Sequence, residues 1–144
     1  MPTRTATAHW EGAVQDGKGR VALESGAFEG PYSFSSRFSE ERGTQTNPDE
    51  LLGAAHASCF TLALSGALTR AGHPPTRIDT TAEVTVRNAG GDITIPTIVL
   101  TTEAEVPGMS EEDFLAAANG AKENCPVSKA LAGVEITLEA HLAG

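Results

Sequence analysis

The sequence from residue 47 to residue 72 reads NPDELLGAAHASCFTLALSGALTRAG. It predicts one long helix, because Asn47 is a favoured N-cap, Pro48 fits the first helical position and Gly72 suits a helix C-terminus. Apolar side chains recur at almost every turn between the two ends. A helix without a polar face is normally surrounded by protein on all sides. We therefore expect a buried central helix around which the rest of the chain is arranged.

Segments on both sides of this helix alternate polar and apolar residues, as strands with one buried face do. The resulting order, βββ-α-ββ-αα-β, groups strands with strands and predicts an α+β fold with antiparallel hairpins. Pro96 is expected at a bulge or a strand start, because proline lacks the N–H that a ladder needs. The predicted strands are 3–10, 20–24, 32–38, 77–87, 93–106 and 134–142, and the later helices are 110–122 and a short one that contains Pro126.

The chain has 144 residues, which suits a single domain over residues 1–144. Its 10 Lys and Arg residues stand against 19 Asp and Glu residues, so the net charge is −9. This charge repels phosphate groups and argues against nucleic acid or anionic membrane surfaces as partners. Residues 1–9 contain no apolar run, and polar residues interrupt the apolar stretch 51–68. We expect a cytoplasmic protein without a signal peptide or a membrane span.

Cys59 and Cys125 are the only cysteines and lie outside any Cys-x-x-Cys pattern. Two such residues exclude a disulfide framework and a thiolate-rich zinc site. Cys59 falls inside the apolar helix, where a cysteine is either a small core residue or, with a cation or hydrogen bonds nearby, a nucleophile. Cys125 precedes Pro126 at the expected start of the short helix, where N–H groups and the helix dipole favour a thiolate. The alternative for Cys125 is a plain capping residue.

Four further side chains are candidates for the same chemistry. His56 lies three residues before Cys59, so both can share a helix face as a Cys–His pair, although a packed histidine is the simpler interpretation. Arg37 is one of the few cations able to stabilise a thiolate, and Asp49 and Glu50 suit the positive end of the helix dipole. About 15 Å of helix separates Asp49 from Cys59, so a shared site requires a break in the helix or a second subunit.

Two segments together resemble the OsmC/Ohr family of peroxide-detoxifying proteins: TNPDELLGAAHASCF at residues 46–60 and NCPVSK at residues 124–129. Also similar to that family are AHWEG at 8–12, GKG at 17–19, SRF at 36–38, IDTTA at 78–82 and ITL at 136–138. The resemblance covers nearly the whole chain. The GAAHA stretch before Cys59 is closer to the OsmC branch than to the Ohr branch.

The resemblance implies a thiol-dependent peroxidase that reduces organic hydroperoxides to alcohols. Cys59 matches the cysteine that attacks the peroxide and becomes a sulfenic acid, and Cys125 matches the one that closes a disulfide with it. Arg37 matches an arginine expected to lower the pKa of Cys59. The carboxylate that orients this arginine falls at Asp49, where the family more often has Glu, so Glu50 is the alternative. A dithiol reductant, for example of lipoyl type, is expected to reset the disulfide, and no metal, flavin or other cofactor is implied.

The resemblance also implies an intertwined homodimer with active sites at the subunit interface, which would bring Arg37 and Asp49 to Cys59 of the other chain. Two other classes of function stay open from the residues alone. A cysteine hydrolase or acyl-transfer enzyme would pair Cys59 with His56, but it leaves Cys125 without a task. A non-catalytic dimeric stress protein would hold both thiols as inert buried groups.

Overall fold

The computed structural model describes residues 1–144 and has an α+β architecture with two three-stranded sheets. The chain divides into two compact units, residues 1–51 and residues 52–144. The single domain expected from the chain length stays a prediction beside this division. The elements, in chain order, are β1 (Ala6–Glu11), β2 (Lys18–Leu23), β3 (Glu29–Tyr32), α1 (Phe34–Phe38), α2 (Pro48–Arg70), β4 (Arg77–Ala89), β5 (Asp92–Glu105), α3 (Glu111–Asn124), α4 (Pro126–Ala130) and β6 (Glu135–Leu142).

The first unit contains an antiparallel sheet in the order β1-β2-β3. Gly19 on the middle strand lies opposite Trp10 on one side and Tyr32 on the other. The centres of the two aromatic rings are 5.7 Å apart, and a Cβ on Gly19 would come within 2.7 Å of both. A glycine is therefore required here so that the two rings can close over the strand.

Residues 34–38 form the short helix α1, and the predicted strand over residues 32–38 is wrong. The alternation of Phe34, Ser36 and Phe38 matches a strand, but Phe34 and Phe38 are also four residues apart, which places them on one helix face. Their ring centres lie 5.1 Å apart. Ser33 favours the helix over the strand, because it forms a capping box with Ser36. The Ser33 hydroxyl accepts from the Ser36 N–H, and the Ser36 hydroxyl accepts from the Ser33 N–H. Arg37 consequently lies on a helix and not on a strand.

The long helix α2 begins and ends where the sequence predicts. The Asn47 side chain accepts the Glu50 N–H at 2.8 Å, as an N-cap does. At the other end Gly72 has a φ of 86°, its N–H donates to the Thr69 carbonyl, and the His73 N–H donates to the Leu68 carbonyl. These two bonds form a Schellman motif, which satisfies the last carbonyls of the helix.

The second unit contains the sheet β4-β5-β6, in which β4 and β5 form an antiparallel hairpin. The register shifts between Thr85 and Arg87, opposite Ile95 and Pro96, so Pro96 lies at a bulge as predicted. Strand β6 departs from the predicted antiparallel arrangement, because it runs parallel to β5. A parallel neighbour needs a long crossover, and α3 and α4 supply it between the two strands.

The hydrophobic core of the second unit is formed by α2, β5 and α3. Its fully buried members are Phe60, Leu64, Leu68, Ile98, Leu100, Ala104, Phe114 and Ala118. Helix α2 buries only one face within the chain, because Leu62 is 75% exposed and Ala54 and Ala55 are exposed as well. The prediction that this helix is buried on all sides is therefore wrong for the single chain. The second sheet and α3 together cover only one side of α2.

Helix α2 is also the one element with the length and hydropathy of a membrane span, with a mean hydropathy of 1.5 over its most apolar window. These properties are weak evidence of a membrane protein, since the core helix of a soluble protein shares them. The face that carries Phe60, Leu64 and Leu68 packs in the protein core.

Candidate active site

The two cysteines, 66 positions apart in sequence (125 − 59), are brought together in the second unit. Cys59 lies in the middle of α2 and is partly exposed, whereas Cys125 is completely buried. Both are free thiols, and each lies close enough to shift the pKa of the other. A thiol pair in this arrangement is placed for chemistry between its two sulfur atoms.

Cys125 lies at the junction of α3 and α4 and belongs to the ends of both. Its N–H donates to the Ala121 carbonyl at 2.9 Å, and its carbonyl accepts the Lys129 N–H at 3.1 Å. It is the N-cap residue of α4, with Pro126 at the first helical position, as the sequence predicts. These two bonds fix the backbone of Cys125 between α3 and α4.

The groups around the two sulfur atoms favour the Cys125 thiolate over the Cys59 thiolate. Burial raises the pKa of Cys59, and so does the neighbouring Cys125, while the Val127 N–H offsets only part of the effect. Burial also raises the pKa of Cys125, but the contacts from Cys59, Ser128 and the Val127 N–H outweigh it, and the pKa of Cys125 lies below its usual value. The Cys125 side chain makes no well-aligned capping bond, so these groups act through proximity and dipole direction.

The pKa of Cys59 is thus displaced in the direction opposite to the one that the resemblance implies. The pKa of Cys59 is shifted by burial and by two neighbouring residues, Cys125 and Val127, neither of which is a cation. The thiolate expected at Cys125 from its place at a helix start agrees with the direction of its pKa. Within one chain the acidic member of the pair is therefore Cys125.

Arg37 and Asp49 form a two-bond ion pair within the first unit. Arg37 Nε donates to Asp49 Oδ2 at 3.0 Å, and Arg37 Nη2 donates to Asp49 Oδ1 at 3.2 Å. The Asp49 side chain is 7% exposed and that of Arg37 is 28% exposed. A paired and largely buried carboxylate of this kind fixes the plane of the guanidinium group. The shorter Asp side chain thus makes the contact that the resemblance assigns to a carboxylate.

Glu50 does not pair with Arg37. Its carboxylate accepts from the Thr46 hydroxyl at 3.0 Å, and its N–H belongs to the Asn47 cap. Asp49, and not Glu50, is therefore the partner of Arg37. Helix α2 runs unbroken from Pro48 to Arg70, so no break in it shortens the rise of about 15 Å between Asp49 and Cys59.

Ser128 is the residue that the sequence interpretation missed. Its side chain is bonded to His56 Nε2 at 2.8 Å in a buried setting, and it also helps to lower the pKa of Cys125. The spacing of Ser128, three residues after an N-cap position, is that of a capping-box partner and could have drawn attention to it. His56 bonds to Ser128 and is not among the groups that shift the pKa of Cys59. The Cys59–His56 contact that a cysteine hydrolase requires is absent.

Comparisons with known proteins identify the family of this chain. Residues 41–139 match the family of OsmC-like proteins. Proteins named Peroxiredoxin OsmC from Escherichia coli (strain K12) and from Shigella flexneri are each 48% identical to this chain over 136 residues, which is 94% of this chain and 93% of each relative. Among solved structures, an organic hydroperoxide resistance protein OsmC from Legionella pneumophila has a TM-score of 0.74 at 24% identity and covers 98% of both chains. An organic hydroperoxide resistance protein from Elizabethkingia anophelis has a TM-score of 0.77 at 23% identity, covering 99% of this chain and 98% of its own. At these identities the two structures show the shared fold.

Proposed function

Because this chain belongs to the OsmC family, we propose that it is a cysteine-based peroxidase that reduces organic hydroperoxides to alcohols. The observation that carries the proposal is the pair of neighbouring free thiols, Cys59 and Cys125. Its 48% identity to Peroxiredoxin OsmC supports the same type of activity. The apolar surface of α2 next to Cys59, where Ala55 and Leu62 are exposed, suits the alkyl part of an organic peroxide.

The first step is the oxidation of Cys59, the partly exposed member of the pair. Its thiolate attacks the terminal oxygen of the peroxide, an S–O bond forms and the O–O bond breaks. The alkoxide that leaves takes up a proton and becomes the alcohol, and Cys59 becomes a sulfenic acid. The exposure of Cys59, compared with the complete burial of Cys125, is the reason to assign the attack to Cys59.

The second step joins the two sulfur atoms. The Cys125 thiolate attacks the sulfur of the Cys59 sulfenic acid, the S–S bond forms, the S–O bond breaks, and the released hydroxide takes up a proton to give water. The lowered pKa of Cys125 supports its role as the nucleophile of this step. A dithiol reductant, of lipoyl type for example, then exchanges with the disulfide and restores both thiols. A reducing compartment such as the cytoplasm suits this cycle.

Arg37 is proposed to complete the site from a second copy of the chain in a homodimer. Cys59 has a raised pKa in the single chain, so a cation is needed to make its thiolate abundant at neutral pH. Arg37 is held in a fixed plane by Asp49 and keeps part of its side chain exposed. The exposed apolar face of α2, with Leu62 at its centre, is the surface that a second copy would cover.

The activity is tested by the consumption of cumene hydroperoxide in the presence of excess dithiol. We expect turnover by the unaltered protein and none by Cys59→Ser. Cys125→Ser is the matched variant, because it keeps the first step and loses the second. After one equivalent of peroxide it should hold a sulfenic acid on Cys59 that dimedone traps and mass spectrometry locates. Unchanged turnover in Cys59→Ser would refute the proposed function.

A further inference from the structure

His56 is a titratable side chain that the proposed cycle does not use. It lies on α2 three residues before Cys59 and is completely buried. Its Nε2 is 2.8 Å from the Ser128 hydroxyl on α4, whereas its Nδ1 is buried without a hydrogen-bond partner. A buried polar atom without a partner lowers stability, and a leucine at this position would have no such atom. Stability therefore does not explain the histidine.

Helix α4 depends on contacts with the rest of the chain for its place. It has five residues, Pro126–Ala130, and a helix of this length does not form by itself in water. Ser128 is its only buried residue, Val127 is half-buried, and the other three are exposed. Little apolar surface is therefore available to hold α4 in place. The bond between Ser128 and His56 is the one side-chain hydrogen bond that joins α4 to α2.

Both cysteines lie one helical turn from this bond. Cys59 follows His56 by three residues on α2. Cys125 precedes Ser128 by three residues and is the N-cap of α4. The Lys129 N–H donates to the Cys125 carbonyl at 3.1 Å, so Cys125 and Ser128 belong to the same turn. Because three residues of helix rise only about 4.5 Å, the bond fixes the distance between the two segments that carry the sulfur atoms.

Disulfide closure is sensitive to that distance. The Cβ atoms of a disulfide lie about 3.5–4.5 Å apart, and cysteines held further apart cannot be joined without movement of the backbone. If α4 were loosely held, Cys125 would meet Cys59 for only part of the time. A segment that is held in place keeps the effective concentration of the second thiol high.

We propose that His56 and Ser128 are positioning residues for disulfide closure: their buried hydrogen bond fixes α4 against α2 and so keeps Cys125 within reach of Cys59. This inference rests on the proposed function, because it assigns Cys125 the resolving role. In that step the Cys125 thiolate forms the S–S bond with the sulfenic sulfur of Cys59, and the S–O bond breaks. The Cys125 sulfur is oxidised, the sulfenic sulfur is reduced, and the released hydroxide takes up a proton to give water. The role requires no contact of either residue with sulfur.

The test measures the equilibrium between the dithiol and disulfide forms of the protein in mixtures of reduced and oxidised dithiothreitol. Acid quenching, alkylation and mass spectrometry give the oxidised fraction and show that the disulfide lies within one chain. Ser128→Ala removes one hydroxyl and should lower the equilibrium constant for disulfide formation about tenfold, the usual contribution of one such hydrogen bond. His56→Gln is the matched control, because its amide keeps an N–H donor, and it should stay near the original constant.

A double variant, His56→Leu with Ser128→Ala, separates positioning from packing. It replaces both partners by apolar groups, which is nearly neutral or stabilising, and it also removes the unpaired Nδ1. We expect the free energy of unfolding of the dithiol form in urea to be unchanged or higher, while the equilibrium constant falls about tenfold. A double variant that loses stability or keeps the original constant would overturn the inference, and so would equal falls in His56→Gln and Ser128→Ala.

The equilibrium needs no peroxide, so its outcome does not depend on turnover. A protein that fails to reduce cumene hydroperoxide but shows the expected constants would refute the proposed function and leave the positioning of the two cysteines established. A protein that turns over with constants unaffected by the variants would refute the positioning role alone.

Discussion

The two compact units of the chain differ both in how they are packed and in the chemistry that they hold. In residues 1–51 only Gly30, Thr46 and Asp49 are buried, and strand β1 is exposed along almost its whole length. The hydrophobic core lies in residues 52–144, where α2, β5 and α3 bury their apolar side chains. The first unit holds the Arg37–Asp49 ion pair, and the second holds two thiols among neutral hydrogen-bonding groups.

This difference shows that each unit contains what the other lacks. The second unit holds the hydrophobic core and both thiols, but no cation is among the groups that shift the pKa of Cys59. The first unit supplies an oriented cation, but it buries little apolar surface of its own, which is the main source of folding stability. A homodimer would give both units further burial and would also bring the cation to the thiol, which is why the proposed site includes a second copy.

The largest expected effect contrasts the cores of the two units. Phe114→Ala removes a fully buried ring from α3 and should lower the free energy of unfolding by about 3–5 kcal/mol. Phe28→Ala is the matched control in the first unit, where the ring is 38% exposed, and it should cost about 1 kcal/mol or less. Urea unfolding followed by circular dichroism measures both. Equal losses would mean that the first unit has a core of comparable strength.

A smaller effect is expected when the cation of the first unit is removed. Arg37→Ala should lower kcat/KM for cumene hydroperoxide about a hundredfold, or about 2.7 kcal/mol, since it removes one donor to developing negative charge. Asp49→Asn should lower it less, because the guanidinium group stays but loses its charged partner. Steady-state turnover with excess dithiol measures both variants.

Mixing two inactive variants decides whether Arg37 acts across subunits. In an equal mixture of Arg37→Ala and Cys59→Ser, half of the dimers are mixed, and each mixed dimer would contain one intact site if Arg37 serves the other chain. We then expect recovery of about a quarter of the unaltered activity after subunit exchange. No recovery despite exchange would place Arg37 and Cys59 in the site of the same chain.

The smallest effect concerns the buried neutral histidine of the second unit. Burial lowers the pKa of His56 in the folded state. As the pH falls through the ordinary histidine pKa of 6.5, the unfolded chain therefore binds a proton at His56 before the folded chain does. Stability from this residue is therefore full above that pH and declines as the pH falls, by at most about 1.4 kcal/mol per pH unit. His56→Gln should remove this decline. Parallel stability curves for the two proteins between neutral pH and pH 5 would contradict the prediction.

Local sequence signals predicted the elements whose ends are set by neighbouring residues. The Asn47 cap, the Gly72 motif and the bulge at Pro96 each depend on residues only a few positions apart, and each is confirmed. The helix at residues 34–38 was mistaken for a strand because Phe34 and Phe38 fit both periods. The predicted direction of β6 was also wrong. The alternation of residues within β6 does not encode its direction, which depends on how α3 packs over the sheet.

The sequence by itself determined the long apolar helix, the α+β class and the two cysteine segments that identify the family. Only the tertiary structure decided that Asp49 and not Glu50 pairs with Arg37, that Cys59 and Cys125 are neighbours, and that Ser128 bonds to His56. The physical reason is range. A cap or a turn is formed by adjacent residues, whereas His56 and Ser128 are 72 positions apart, and their hydrogen bond exists only once α2 and α4 are packed together.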